Sequence, residues 1–437
     1  MWGDLYNLAR IRPPKKHTWI DHDWFTKEVV DSLREKLLYI PIVDVVDGSR
    51  ISIWNEESEA NAYFPYADDS TIREKIWELA KKLYPQSVPV QAHVDKWHVI
   101  IWKDCCKFSI SALSGSIQEE GSLEALADSL NGDEQDAINF VNDYYRLLNL
   151  EGKHIKDIIA DEFAVIPNQL GKFDKKTKLH VDKSIDEEIK KACALVTTDP
   201  KEYLAHKYAN TGDGILYPPK KQEHIIAEMN NIIKENKFEK VPVLCDYLAS
   251  LFPQNNIPER RVSIFDFSKK IFPGDFTERR SISQYDEKIW EESDKKSIGY
   301  LVASIASCKT VQKICSDFNF DTEEIFLQWL DSFVTFLVKE GFESNINKEK
   351  YPILPNQNGV LCIKDNLFLD EGDIGDELKD IASELGHDFR KEILDPRIFL
   401  ELPANRTYSI VNVAEKISTF VKPILRDVDK RKKYGLT

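Results

Sequence analysis

Two groups of polar side chains in this sequence have the residue types that bind metal ions. His93 and His98 lie near Cys105 and Cys106, and further histidines and aspartates occupy residues 17–23. Imidazole, thiolate and carboxylate groups are the usual zinc ligands, but zinc sites space them in regular patterns that neither group shows. We therefore predict structural histidines here and no metal site.

Phosphate binding and nucleophilic catalysis would each need a local motif. Residues 210–214 come nearest to a glycine-rich phosphate loop, but no helix with a suitably placed lysine follows them. A Gly-x-Ser-x-Gly elbow for a catalytic serine is missing from the sequence. The acid pair Asp161 and Glu162 is ordinary in a chain with 30% charged residues. The sequence thus predicts no catalytic and no cofactor-binding residue in this chain.

Two loops share the order proline, asparagine, glycine, and a more divergent third loop precedes them. The asparagine amides could bind a ligand, but a tight turn explains the pattern more simply. Proline fixes φ, asparagine tolerates turn conformations, and glycine supplies the positive φ needed to enter the next strand. We predict equivalent hairpin turns at these positions: Pro41, Gly48, Pro167, Asn168, Gly171, Pro355, Asn356 and Gly359.

An amphipathic helix is predicted after each turn. Apolar residues recur there in steps of four, three, one and three, which places them on one face of a helix with 3.6 residues per turn. Charged residues fill the opposite face. The three apolar stripes are Ile72, Ile76, Leu79, Ala80 and Leu83; Ile185, Ile189, Ala192, Cys193 and Val196; and Ile374, Leu378, Ile381, Ala382 and Leu385.

The repeated order predicts an α+β, multi-domain fold of helix–hairpin–helix units with small mixed or antiparallel sheets. Long helices predicted within residues 122–150 and 310–340 extend the second and third units upstream. We predict four regions, which are a first repeat unit with a following β-rich segment, a second repeat unit, an irregular connecting region, and a third repeat unit with a C-terminal helix. Their bounds are 1–118, 119–215, 216–300 and 301–437.

Composition restricts the class of partner. The net charge is −15, whereas domains that bind duplex nucleic acid usually have a basic surplus. We find neither an apolar run as long as a membrane span nor an N-terminal signal region, and the seven scattered cysteines are typical of reduced thiols. We expect a cytoplasmic protein that contacts other proteins or the rest of its own polypeptide, and neither membrane nor nucleic acid.

One segment near the start has the composition of a protein interface. Aromatic and arginine side chains anchor interfaces, and a tryptophan in a polar stretch is a candidate for exposure. The predicted interface consists of Arg10, Arg12, Lys15, Lys16 and Trp19. At the other end, the sequence predicts a helix over residues 411–428, and we expect the natural polypeptide to continue beyond it.

Residues 353–371 and 378–382, with their counterparts in the other units, resemble repeats of large sacsin-like proteins. Such proteins carry an ATP-binding domain of the gyrase, heat-shock chaperone and histidine kinase (GHKL) type. The Asn-bearing helix, the Asp-x-Gly-x-Gly turn and the Gly-rich lid of that domain are missing from this sequence. The resemblance therefore implies a non-catalytic, chaperone-like coupling segment that holds no cofactor, with ATP bound elsewhere in a longer protein. Two alternatives are a free-standing interaction scaffold and an enzyme, a nuclease or hydrolase, whose site forms only on folding.

Overall fold

We describe the fold from a computed structural model of the chain. The described residues are 28, 32–54, 62–92, 106–211, 218–235, 239–272, 274, 276–285, 287–370, 372, 374–401, 406–427, 429 and 432. They form two compact units. The N-terminal unit contains the described residues up to Ile185 and those from Thr198 to Lys221, and the C-terminal unit contains those from Asp186 to Thr197 and from Gln222 onward.

Helices and short strands alternate along the chain, so the predicted α+β class is confirmed. The first elements are α1 (Ser32–Leu38), β1 (Val43–Asp44), β2 (Arg50–Ile51), β3 (Tyr63–Pro65), α2 (Ser70–Leu83), β4 (Cys106–Phe108), α3 (Ile110–Glu120), α4 (Leu123–Ser129), α5 (Glu134–Glu151), α6 (Lys153–Glu162), β5 (Ile166–Pro167), β6 (Phe173–Asp174), β7 (Val181–Asp182), α7 (Glu187–Ala194), α8 (Pro200–Tyr203) and β8 (Pro219–Lys220). The others are α9 (Gln222–Glu235), α10 (Val241–Ala249), β9 (Leu251–Pro253), α11 (Glu259–Ile271), β10 (Arg280–Ile282), α12 (Glu287–Cys308), α13 (Val311–Asp317), α14 (Glu323–Lys339), β11 (Leu354–Pro355), β12 (Leu361–Cys362), β13 (Leu369–Asp370), α15 (Asp376–Glu384), β14 (Thr407–Tyr408) and α16 (Ile410–Arg426).

All sheets among the described residues are two-stranded. Three are antiparallel hairpins, formed by β1 with β2, β5 with β6, and β11 with β12. Each hairpin turn contains a glycine with positive φ, which is 88° at Gly48, 78° at Gly171 and 72° at Gly359. The other four sheets are parallel pairs, formed by β3 with β4, β7 with β8, β9 with β10, and β13 with β14.

The same order of elements occurs three times along the chain. It consists of a hairpin, the first strand of a parallel pair, at least one helix, the second strand of that pair, and a final helix. We call these motif 1 (β1–β4, α2 and α3), motif 2 (β5–β8, α7 and α9) and motif 3 (β11–β14, α15 and α16). In each motif, the second residue of the first strand accepts a hydrogen bond at its carbonyl. The donor is a backbone amide in the segment that follows the first helices of the motif. The three bonds join Val90 N to Asp44 O (3.0 Å), His206 N to Pro167 O (2.8 Å) and Asp395 N to Pro355 O (2.9 Å).

These bonds correct the predicted position of the first turn. Asp44, not Pro41, occupies the place in motif 1 that Pro167 and Pro355 occupy in motifs 2 and 3. Pro41 lies before β1, which begins at Val43. The prediction aligned prolines by residue type, whereas the distance from the strand to the turn glycine sets the register of a hairpin.

A pair of helices precedes motif 2 and another precedes motif 3. Ser122 caps α4 and Thr310 caps α13, each with its side-chain oxygen on a backbone amide of the first turn. Asn131 and Asn319 then take left-handed conformations, with φ of 53° and 52°, between the two helices of each pair. The long helices that follow, α5 and α14, supply many of the buried apolar side chains of their units.

The prediction of an irregular region at residues 216–300 is wrong, because α9, α10 and α11 and the first part of α12 lie there. Its prolines do not interrupt helices. Pro242 stands in the first turn of α10 and Pro258 directly precedes α11, positions where no intrahelical amide bond is lost. The predicted division into four regions otherwise remains a prediction. Within the described part of the chain, no helix combines the length and apolarity needed to span a membrane.

Candidate functional site

The predicted interface residues near the start lie outside the described residues. This applies to Arg10, Arg12, Lys15, Lys16 and Trp19, and to the histidines of both groups considered for metal binding, whereas Cys106 is described and begins β4. Within the described ranges, no group of three or more histidine, cysteine or acidic side chains is placed to hold a metal ion. The functional surface must therefore be sought from the geometry of the motifs themselves.

The turn asparagine of motif 2 uses its whole side-chain amide to hold the hairpin. Asn168 Oδ1 accepts hydrogen bonds from the backbone amides of Leu170 at 2.9 Å and Lys172 at 3.0 Å. Its Nδ2 group donates to the carbonyl of Glu202 at 2.9 Å, which ties the turn to the end of α8. The residue is buried, so the amide is directed to the backbone and not to a ligand.

Motif 3 repeats this arrangement. Asn356 Oδ1 accepts from the amides of Asn358 at 3.0 Å and Val360 at 2.9 Å, and Nδ2 donates to the carbonyl of Lys391 at 2.9 Å. Motif 1 has Val45 at this position, and its hairpin turn is held by backbone bonds and by Asp47 Oδ1, which accepts from the amide of Ser49 at 2.8 Å. The asparagines therefore fix the strand-loop junction in motifs 2 and 3.

Replacing Asn356 with alanine is expected to lower the unfolding free energy by about 2–3 kcal/mol, because buried backbone groups lose their partners. Urea unfolding followed by circular dichroism measures this change. Asn358→Ala is the control on the same turn, because this exposed asparagine donates from its side chain to Asp388 and not to the hairpin backbone. A cost for Asn356→Ala no greater than that for Asn358→Ala would contradict the assigned role of the Asn356 amide.

A polar cluster holds α16 on motif 3. Tyr408 donates a hydrogen bond to Glu392 Oε2 at 2.5 Å and accepts one from the Lys416 ammonium of α16. That ammonium lies 4.4 Å from the centre of the Tyr408 ring, which itself stacks on Phe368 at 4.3 Å. His387 Nε2 lies 3.4 Å from Glu392 Oε1. The cluster fixes α16 through charge, hydrogen bonds and ring contacts together.

Burial and the adjacent Glu392 carboxylate raise the pKa of the Tyr408 phenol above its usual value. The phenol therefore stays protonated at neutral pH and can donate to Glu392 while it accepts from Lys416. The cluster lines one side of a groove of about 550 Å³ beside α16. Tyr408, Glu392 and Lys416 bond to one another, which is the behaviour of an anchor for the helix.

Some large apolar side chains of motif 3 lie outside its buried core and are exposed to solvent. Ile381 on α15 is 51% exposed, and Val411 on α16 is 61% exposed. Ile410 and Leu425 on α16 are also exposed, although they are large apolar side chains. We call these four residues the docking face. An exposed set of large apolar side chains on neighbouring helices is typical of a contact surface.

The corresponding helices of motif 2 are covered. α7 and α9 pack on each other and on α10 and α12, the helices that follow them in the chain. The contact buries one face of each helix. Ala192, the counterpart of Ile381 in the apolar stripe, contributes to that core, whereas Glu223, the counterpart of Val411, is exposed. The buried side chains are Ile189, Ala192, Cys193, Ile225, Ile226, Met229 and Ile233.

Motif 1 is covered in the same manner. α2 packs against α5, and α3 packs against α4, again helices that follow the motif in the chain. Ile76, Leu79 and Leu83 of α2 are buried there in one core with Val141 and Tyr144 of α5. Motif 3 thus differs from motifs 1 and 2 by the missing cover over its helices within the described residues.

The exposure of the docking face was not predicted from the sequence. The third stripe was predicted to be buried like the first two, but Leu378 and Leu385 are only partly buried and Ile381 is exposed. Lys190 and Lys379 are also buried, although the sequence pattern placed both on the charged face of their helices.

Comparison with known proteins gave no match to a family model, a curated protein or a solved structure.

Proposed function

We propose that this chain is a non-catalytic interaction scaffold made of three copies of one helix–hairpin–helix unit, and that motif 3 docks a further helical unit through its docking face. The shared hydrogen bonds of the three motifs support the interpretation as copies. The docking face carries the proposal, because its large apolar side chains are exposed and no described helix packs over α15 and α16 as α10 and α12 pack over α7 and α9. Sequence resemblance alone supports placing the scaffold in a cytoplasmic, sacsin-like ATP-binding protein.

The occupant is a helical pair equivalent to α10 and α12. Those helices cover α7 and α9 with apolar side chains that include Leu244 and Ile298, and both of these are fully buried. Burial of an apolar face contributes about 25 cal/mol per Å², which is enough to hold a helical pair on an exposed face when several large side chains take part. We propose that this pair belongs to another part of the same natural polypeptide, and a second copy of the chain is the alternative outcome of the test.

A photo-cross-linking amino acid at Val411 is expected to capture this occupant in cells that express the protein from its natural gene. The cross-linked peptides, identified by mass spectrometry, should derive from amphipathic helices of the same polypeptide, and the mass of the intact cross-linked product shows whether one chain or a second copy supplied them. Glu384 at the end of α15 provides the control position, because it is exposed and polar. The same cross-linker placed there should give little product.

Replacing Ile381 and Val411 together with aspartate should reduce the yield of cross-linked product at least about tenfold. The chain should stay folded, since both residues are exposed. In this variant the cross-linking amino acid is placed at Leu425. Equal yields with and without the aspartates, or equal yields at Val411 and Glu384, would contradict the docking proposal. Cross-links only to nucleic acid or lipid would also contradict it.

A further inference from the structure

A second surface of the C-terminal unit has the composition of an anion site and is separate from the docking face. It is a groove of about 430 Å³ between the start of α10, the middle of α12 and the segment after α14. Three lysines and two tyrosines lie along it. The polar lining residues are Lys295, Lys296, Tyr300, Lys348 and Tyr351.

The groove carries the positive charge of three lysines, although the net charge of the chain is −15. No carboxylate is among its lining residues. Lys295 has an ion pair with Glu291 at 3.0 Å, but both side chains are half-exposed, so this pair is weak. Lys348 donates to the amide oxygen of Asn345, which carries no charge. Like charges that converge on one groove repel one another unless an anion lies between them.

Asp246, which lies next to a lining residue of the groove, does not neutralise these lysines. Asp246 follows Cys245, a residue that lines the groove, and its Oδ1 atom is buried without a hydrogen-bond partner. Burial raises the pKa of the Asp246 carboxyl to about 8. At neutral pH this group is therefore mostly protonated and leaves the positive potential of the groove in place.

The walls of the groove are suited to a small organic group beside the anion. The Tyr300 ring stacks on Phe272 at 4.9 Å with an angle of 10° between the planes, which fixes its orientation. Gly299 leaves the adjoining space open, because a Cβ atom there would meet nothing within 4 Å. Val241 and Pro242 place the first turn of α10 at the groove, and the positive end of a helix favours anions.

We propose that this groove binds a phosphate monoester, with its phosphate on Lys295, Lys296 and Lys348 and its organic group against Tyr300 and Tyr351. A lysine ammonium is a compact charge that suits phosphate oxygens. The volume admits a small phosphorylated molecule or a phosphorylated side chain. This site is independent of the docking face and of the proposed scaffold role.

Calorimetric titration of the full chain with phenyl phosphate tests this inference, with phenol and inorganic phosphate as component probes. Phenyl phosphate is expected to bind more tightly than either component and to lose affinity as salt rises. Lys296→Gln should weaken it at least about tenfold. Lys75→Gln, at an exposed lysine of the N-terminal unit paired with Glu78, should leave the affinity unchanged.

Gly299→Leu gives a second variant that fills the groove and keeps every charge. Leucine favours a helix more than glycine, so this change is not expected to unfold α12. It should weaken the binding of phenyl phosphate at least about tenfold, and the melting temperature of the protein should be unchanged or higher. Lack of binding to the unmodified chain would overturn the inference. Equal affinities of the unmodified chain, Lys296→Gln and Gly299→Leu would overturn it as well.

Discussion

Replacing Asp294 with alanine is expected to lower the unfolding free energy by about 3–5 kcal/mol, because it leaves a buried arginine without its counter-charge. Arg261 of α11 and Asp294 of α12 form an ion pair, and each is 1% exposed. Arg261 also donates to the carbonyls of Leu248 at 2.9 Å and Trp290 at 3.3 Å. One guanidinium therefore joins α10, α11 and α12.

The matched control for Asp294→Ala removes both charges. In Arg261→Met with Asp294→Leu, apolar side chains of similar size replace the pair, and most of the lost stability should return. Arg260→Ala should cost less than about 1 kcal/mol, since this second arginine is partly exposed and lies 3.3 Å from Asp294. Urea unfolding measures all three. A double variant no more stable than Asp294→Ala would show that the unpaired charge is not the cause.

Replacing Ile189 with alanine is expected to cost about 2–5 kcal/mol, because it opens a cavity in the core where α7 meets α9 and α10. Ile189 is fully buried. Ile381→Ala makes the same chemical change on α15, where the side chain is 51% exposed, and should cost less than about 1 kcal/mol. Thermal and urea unfolding of both variants test the difference between a covered and an uncovered stripe.

Equal costs for Ile189→Ala and Ile381→Ala would mean that α15 is covered in solution. That result would support self-association through the docking face, and a dependence of the Ile381→Ala cost on protein concentration would identify it. The cost of Leu378→Ala should lie between the costs of Ile189→Ala and Ile381→Ala, since Leu378 is partly buried.

The sequence predicted what local chemistry determines. The stripe of α7 was predicted residue by residue, because apolar spacing along one helix needs no knowledge of the partner. The turns at Gly171 and Gly359 were predicted from positive φ, which is a property of the backbone at one residue. Element type and the α+β class follow from such signals.

Features that depend on distant partners were not predicted. The parallel pairs of β7 with β8 and β13 with β14 contain two residues per strand, too few for any alternation pattern. The charge pair of Arg261 and Asp294 was also invisible, since its members lie on different helices and look like ordinary surface residues in the sequence. Ile381 shows the limit most directly, because an apolar stripe does not specify whether anything covers it.

The parallel strand pairs have a consequence for synthesis on the ribosome. Each hairpin can close as soon as its own residues emerge, but β13 cannot pair with β14 until on the order of 40 further residues have left the exit tunnel. Motif 3 must therefore wait for Thr407 and Tyr408, and with them for the Tyr408 contact that anchors α16. A translational pause before this point would leave α15 and its apolar side chains exposed to chaperones for the length of the pause.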